Sequence, residues 1–139
     1  MSEREIKFRA WIPRISKMEP VTNLEWFFND DGGQLEIMDI TTRSAQVRDG
    51  DMILEQYTGL KDKKRTKEYP EGQEIYEGDI VDVSMSYGGG TLPHRGQIVF
   101  DDTFAAFGTK NEAGITLLHN HCLHTLEIIG NIHTPLEKP

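Results

Sequence analysis

The residues of this sequence whose types and spacing best suit chemistry are histidines near the C-terminal end. The segment HNHCLH (residues 119–124) holds four potential metal ligands within six positions. On a β-strand, His119 and His121 would point to the same side, and two imidazoles at that spacing can share a zinc or nickel ion. On a helical turn, His121 and His124 could share one instead. The segment therefore predicts a candidate metal site formed by these three histidines. A metal-dependent hydrolase could use such a site.

The same segment has a plainer interpretation, which the sequence leaves open. Standard zinc spacing, with ligand pairs separated by a finger loop, is absent, and histidines at a turn can be exposed or can cap backbone groups. Cys122 could act as a nucleophile beside His121 or His124, but a catalytic thiol needs a base held in geometry, which sequence neighbours rarely provide. We therefore expect a non-enzymatic protein with no catalytic residues and no cofactor, and the hydrolase is the alternative.

Paired carboxylates, which glycosidases and nucleases use, are also frequent in the chain. The pairs are Asp30 with Asp31, Asp49 with Asp51, Glu77 with Asp79, and Asp101 with Asp102. Each pair lies in or beside a predicted turn, where aspartate and glycine are favoured for backbone reasons. The run GGGT (residues 88–91) lacks the lysine and the following helix of a phosphate-binding loop. These residues predict turns rather than a reaction.

The charge of the chain is negative overall but unevenly distributed. Its 139 residues include 15 Lys+Arg and 23 Asp+Glu, a formal net charge of −8, which disfavours general binding to phosphate backbones. Residues 1–17 nevertheless hold five basic and two acidic side chains, and residues 61–67 hold five basic and one acidic. The basic side chains of the second island are Lys61, Lys63, Lys64, Arg65 and Lys67.

Three interpretations of this basic loop, residues 61–67, stay open. The plainest is a solvated surface loop, because most charge runs do no more. A second is self-association, in which the basic loop of one subunit meets an acidic face of another and the charges fix their register. A third is weak nucleic-acid binding, although five cations on an acidic body form a small footprint.

One aromatic run predicts a subunit interface. Trp26, Phe27 and Phe28 are consecutive, so on a strand they place bulk on both faces. A lone small sheet cannot bury both faces, which indicates that a second surface covers one of them. We therefore expect a homo-oligomer, with nucleic acid disfavoured as a partner and no membrane contact.

The elements that must position these residues are short strands, because alternation with a period of two residues dominates and helical periodicity is scarce. Predicted strands lie at residues 5–10, 24–28, 34–40, 52–57, 80–85, 96–100, 104–109, 115–118 and 127–129. The turn signal between the second and third predicts a hairpin over residues 24–40. A single helical turn competes with a strand only at residues 119–126. The pattern predicts an all-β chain whose second half is a small SH3-like β-barrel.

The expected organisation is one compact unit with three parts. Residues 1–58 would form an N-terminal β subdomain, residues 59–77 an exposed loop excursion, and residues 78–139 the small barrel. No apolar run approaches the roughly 18 residues that span a bilayer. The N-terminal segment MSEREIKFRAW lacks the apolar core of a signal peptide, so a cytoplasmic location is expected.

Five motifs in a fixed order carry a family resemblance. They are REIKFRAW (4–11), QYTGLKDK (56–63), EIYEGDIV (74–81), GQIVFD (96–101) and EIIGNI (127–132). Together they closely resemble the YopX-like family of small phage and prophage proteins, over nearly the whole chain. The chain departs from the family pattern in the longer KRTKEYPEGQ (64–73), where relatives commonly have a short Asn-Gly turn, and in His133, where they often have an aromatic residue.

The resemblance implies a mostly β, phage-encoded protein that lies in the cytoplasm of a bacterial host and assembles into oligomers. A host or phage protein is a further candidate partner. The resemblance does not indicate an activity, and it identifies no catalytic residues, because no function is established for the family.

Overall fold

The structure of this chain is a computed structural model. It describes residues 5–28, 35–48, 51–87, 90–118 and 121–134. Within its strands, the side chains at residues 26–28, 35–38, 47–48, 85–87 and 121–124 lie outside the described part. The described residues form antiparallel strands and a short 3-10 helix, Pro13–Ile15, and include no α-helix. The all-β prediction is confirmed. The described residues include no helix with the length and apolar character needed to cross a membrane.

The chain divides into two compact units. Glu5–Gln56 forms the N-terminal unit, and the described residues from Tyr57 onward form the C-terminal unit. The sequence predicts its first boundary after residue 58, whereas the structure divides the chain after Gln56. The boundary falls inside a strand, because Ile53–Lys61 is one continuous element.

The N-terminal unit is a twisted antiparallel sheet. Its strands are β1 (Phe8–Ile12), β2 (Lys17–Phe28), β3 (Leu35–Thr42), β4 (Gln46–Arg48) and the first half of β5 (Ile53–Lys61). They are ordered β4-β3-β2-β1-β5 by hydrogen bonding. The core consists of Ala10, Ile12, Ile40 and Met52. The predicted hairpin is confirmed, since β2 and β3 pair with each other from Val21 and Thr42 to Phe28 and Leu35. β4 was not predicted, because its three residues lie in a polar stretch.

The C-terminal unit contains the remaining strands. They are the second half of β5, then β6 (Glu74–Tyr76), β7 (Asp79–Tyr87), β8 (Gly90–Asp101), β9 (Ala106–Asn111), β10 (Gly114–Leu117) and β11 (His121–Asn131). A five-stranded antiparallel sheet has the order β10-β9-β8-β7-β11. Its core consists of Ile75, Val81, Val83, Ile98, Leu118 and Leu126, with Leu60, Phe107 and Ile128 packed against them. Over residues 121–126 the strand alternative is the one formed, because β11 begins at His121 and pairs with β7.

The predicted SH3-like barrel is not confirmed, because the five-stranded sheet is open. Among the described residues, β10 and β11 are its two edges. The outer side of β11 instead meets the segment that follows β5, where the Lys63 N–H donates to the Leu126 carbonyl at 2.8 Å. Closure would require the two edge strands to pair, whereas here a segment from outside residues 78–139 covers part of one edge.

The predicted excursion, residues 59–77, contains both strand and loop. It includes the end of β5 and all of β6, and the Ile75 side chain is fully buried in the core. Residues 63–71 between these strands are exposed. The polar composition therefore marks the exposed middle of this segment, but its two ends belong to the packed unit.

Candidate interaction surface

The turn between β8 and β9 places aromatic side chains at an exposed tip. Phe100 and Phe107 lie opposite each other in the β8–β9 ladder, and their rings meet edge to face with centroids 5.3 Å apart. Phe107 packs on the core, but Phe100 is 41% exposed and Phe104, in the turn itself, is 65% exposed. We call Phe100 and the turn residues 102–105 the aromatic tip. Exposed phenylalanines at a hairpin end are typical of a surface that another molecule covers.

The backbone of the aromatic tip has a defined conformation. The Thr103 N–H donates to Asp101 Oδ1 at 2.8 Å, the short-range hydrogen bond that aspartate commonly makes in turns. Ala105 has φ of 50°, in the left-handed region that residues with a side chain rarely adopt. The chain therefore reverses at Ala105, while Asp102 and Phe104 stay exposed on the tip.

A polar pocket of about 520 Å³ lies on the C-terminal unit, at the other half of β8. Strand alternation explains its composition, because Asp82 and Ser84 alternate along β7 with the buried Val81 and Val83. Its charged and hydroxyl-bearing lining residues are Lys63, Asp82, Ser84, Thr91, His94, Arg95, Thr125 and Glu127. The pocket thus offers both hydrogen-bond donors and acceptors.

Two ion pairs set the electrostatics of the polar pocket. Arg95 binds Asp82 through two hydrogen bonds, Nε to Oδ1 at 2.8 Å and Nη2 to Oδ2 at 3.2 Å. The hydrogen bonds that Arg95 donates to Asp82, and then the negative charge of Asp82, raise the pKa of Arg95. Lys63 Nζ lies 3.8 Å from Glu127 Oε2, which is a looser pair. The formal charges of these four side chains cancel, so together they give the pocket no net charge.

His94 lies at the boundary between the polar pocket and the core. Its Nε2 is 2.8 Å from Thr109 Oγ1, and Thr109 is fully buried. Partial burial lowers the pKa of His94, since it disfavours the charged imidazolium. The neutral imidazole is therefore the form that the folded chain favours.

The basic loop is fixed to the C-terminal unit by its one acidic residue. Asp62 is buried, and its carboxylate accepts the N–H groups of Gln73 at 3.0 Å and Ile128 at 3.3 Å. Arg65 Nη1 donates to the Asp62 carbonyl at 2.7 Å, and Lys61 Nζ lies 3.4 Å from Glu71 Oε2. Three of the five predicted cations, Lys61, Lys63 and Arg65, thus contact oxygens of this chain.

The two remaining cations, Lys64 and Lys67, are exposed. Lys63 is the member of the basic loop that lines the polar pocket. The structure therefore brings this loop, predicted as a charged surface, next to a pocket that the sequence does not indicate.

The side chains of the predicted metal ligands lie outside the described part of the structure. His119 lies outside the described residues, and only the backbones of His121 and His124 are described, on β11. Among the side chains that are described, no group of three His, Cys, Asp or Glu could hold a metal ion. The metal site at these histidines stays a prediction.

The residues of the predicted interface are also described only in part. Trp26, Phe27 and Phe28 lie at the end of β2, where their backbones pair with β3. Their side chains lie outside the described part, so an interface at these residues also stays a prediction.

Sequence reasoning missed the aromatic tip and the polar pocket. A signal for the turn was present in Asp101 and Asp102, but the sequence predicts that the next strand already begins at Phe104, whereas β9 begins at Ala106. No comparable signal marks the pocket, because Lys63, Arg95 and Glu127 come from distant parts of the chain.

Comparison with known proteins gives one family match. The model of the family described as YopX protein matches residues 7–137. No curated protein sequence matches the chain.

Two solved structures are similar along nearly their whole length. The crystal structure of protein EF1440 from Enterococcus faecalis has a TM-score of 0.51 and 21% identity, over 94% of this chain and 95% of that chain. The crystal structure of protein yopX from Bacillus subtilis has a TM-score of 0.50 and 15% identity, over 91% of this chain and 92% of that chain. At these identities, the similarity concerns the fold alone.

Proposed function

This chain belongs to the YopX protein family, and from that premise we propose that it is a non-enzymatic interaction protein that self-associates. The observation that carries the proposal is the exposure of the aromatic tip, where Phe104 is 65% and Phe100 41% exposed. Removing a phenylalanine side chain from water contributes about 1.5–3 kcal/mol. Two such side chains on one hairpin therefore favour a state in which another surface covers them.

The charge distribution supports a second copy of the chain as the partner. The molecule is acidic overall, with a formal net charge of −8, yet the basic loop exposes Lys64 and Lys67. An acidic protein with one basic surface loop carries both halves of a complementary pair. Such charges steer encounter and orient two subunits more than they add to affinity.

The polar pocket supports binding rather than a reaction. Each of its cations, Lys63 and Arg95, faces a carboxylate, and both pairs are partly exposed. Catalytic sites typically hold their reacting groups in a space shielded from water, and these exposed pairs are not of that kind.

We further propose that the chain is encoded by a phage or prophage and acts in the cytoplasm of the bacterial host. This part of the proposal rests on the five ordered motifs of the family, from REIKFRAW to EIIGNI. Expression of the gene during infection or lysogenic induction, with the product recovered in the cytoplasmic fraction, is the expected result. Recovery from the membrane or the medium would contradict it.

Sedimentation velocity at micromolar concentration tests self-association directly. The expected result is a species heavier than the 15.9 kDa chain, whose proportion rises with protein concentration. Raising the salt from about 50 to about 500 mM should slow association, because screening weakens charge steering. A single 15.9 kDa species at every concentration would contradict the proposal.

A further inference from the structure

We propose that the aromatic tip of one copy of this chain inserts into the polar pocket of a second copy, in a head-to-tail arrangement. The inference rests on the proposed self-association and adds which two surfaces meet. Both surfaces belong to the C-terminal unit, and each is described at the level of side chains.

A chain cannot fill its own pocket. The aromatic tip follows Asp101 at the end of β8, whereas the pocket is lined by β8 residues only as far as Arg95. Arg95 and Asp101 lie six residue steps apart in one paired strand, a span of roughly 20 Å at about 3.3 Å per residue. The pocket and the tip therefore lie at opposite ends of β8, so the occupant must come from another molecule.

The pocket has the size and the chemistry for a phenylalanine ring. Its volume of about 520 Å³ exceeds that of one aromatic side chain, and Val83 and Pro93 are among its lining residues. Lysine and arginine, which also line it, carry aliphatic stems on which an apolar ring can pack. The Arg95 guanidinium is held in place by two hydrogen bonds to Asp82. A guanidinium fixed in this way can stack on an aromatic face.

Charge complementarity between the tip and the basic loop supports a second copy as the occupant. Asp102 is exposed beside Phe104, and Lys64 is exposed in the basic loop, next in the chain to the pocket-lining Lys63. An acidic residue at the inserted tip can therefore approach a basic residue beside the pocket, and such charges orient two subunits more than they add to affinity.

The proposed contact differs from a two-fold interface. Each copy donates a tip at one end and a pocket at the other, so the same contact can repeat from copy to copy. Contacts of this type close into rings or continue as filaments, depending on the rotation between neighbours. Phe104 would be the central anchor, because buried aromatic side chains typically dominate such interfaces.

Two variants, each damaging one surface, test the inference. Phe104→Ala removes the tip, and Thr91→Glu places a larger, negatively charged side chain at the exposed Thr91 on the pocket lining. Each variant alone should associate about 30-fold more weakly than the unmodified chain, as expected for loss of a central anchor. Both positions are exposed, and circular dichroism checks that both variants fold.

Mixing the two variants gives the decisive measurement. The Phe104→Ala chain keeps an intact pocket and the Thr91→Glu chain keeps an intact tip, so an equimolar mixture should form a complex of two chains and no larger. Failure of the mixture to form this complex would overturn the inference.

Ile6→Ala is the matched control, because Ile6 is 69% exposed and belongs to the N-terminal unit. It should leave association unchanged, and an equal loss with Ile6→Ala would indicate unspecific apolar contact and overturn the inference. An oligomer that survives Phe104→Ala would overturn the inference but not the proposed self-association. A wild-type chain that is monomeric throughout would overturn both.

Discussion

Ile128 donates its backbone N–H to Asp62 Oδ2 at 3.3 Å across a separation of 66 residues. The other carboxylate oxygen of Asp62 accepts the Gln73 N–H at 3.0 Å. One buried side chain thus joins the start of the basic loop to Gln73, directly before β6, and to β11. The position of Lys63 at the polar pocket depends on this connection, because Lys63 is the next residue in the chain.

Asp62→Ala should destabilise the chain strongly. The substitution leaves the N–H groups of Gln73 and Ile128 without their charged acceptor, and we expect a loss of about 2–4 kcal/mol in the free energy of unfolding. Urea denaturation measures it. The matched control is Asp102→Ala at the exposed turn, which should change stability by less than about 0.5 kcal/mol. Equal effects of the two substitutions would contradict the role of Asp62.

Gly72→Ala should be more harmful than Gly59→Ala, although both glycines have positive φ. Their φ values are +96° and +89°, so either substitution strains the backbone by about 1–2 kcal/mol. A Cβ at Gly72 would also collide with the Asp62 carbonyl oxygen, whereas a Cβ at Gly59 meets nothing within 4 Å. The free energy of unfolding, measured for both variants, should therefore fall further for Gly72→Ala. A larger loss for Gly59→Ala would contradict the close packing of Gly72 against the Asp62 carbonyl oxygen.

Ile75→Ala tests whether β6 belongs to the core. The Ile75 side chain is fully buried, and truncation of a buried isoleucine usually lowers the free energy of unfolding by about 2–5 kcal/mol. Ile53→Ala is the comparison, because Ile53 is 44% exposed and should lose less than about 1 kcal/mol. Chemical denaturation gives both values. A small effect at Ile75 would support an exposed excursion over the whole of residues 59–77.

His94 should make stability depend on pH below neutrality. Burial lowers its pKa from the ordinary value of 6.5, so the unfolded chain binds a proton more readily than the folded one. Neutral His94 therefore contributes fully to the free energy of unfolding above pH 6.5. This contribution is lost as the pH falls below that value. Melting temperatures recorded from about pH 8 to about pH 5 should decline on the acidic side.

The control for this pH dependence is His94→Gln. Glutamine can still hydrogen-bond to Thr109 but does not titrate, so the acid-side decline should be shallower than in the unmodified chain. An identical slope in the two proteins would assign the effect to other groups.

Local patterns predicted most of the strands. Alternation at residues 80–85 predicted β7, and Val81 and Val83 are buried there as a half-buried strand requires. The turn signal before residue 34 predicted the hairpin of β2 and β3. These predictions succeed because side-chain alternation and turn chemistry depend on residues that are close in sequence.

The missed elements share a different cause. β6 lies at the end of a polar stretch, and the first half of β8 follows a glycine-rich segment, so neither shows alternation of its own. Each forms because a neighbouring strand offers backbone partners: β5 for β6, and β7 for β8. Such pairing depends on what the partner strand offers, and it leaves no alternation in the composition of the segment itself.

By itself, the sequence determined the all-β class, the turns and the position of the basic loop, because the pattern behind each lies within a few consecutive residues. It also determined the family, because five motifs follow one another in a fixed order. Only the tertiary structure decided that the five-stranded sheet stays open, that Asp62 is buried, and that Lys63 and Arg95 line one pocket while Phe104 lies exposed at the far end of β8. Those outcomes depend on which distant strands pair and which faces they cover. The free energy that selects among such pairings comes from the whole packed unit and not from any one segment.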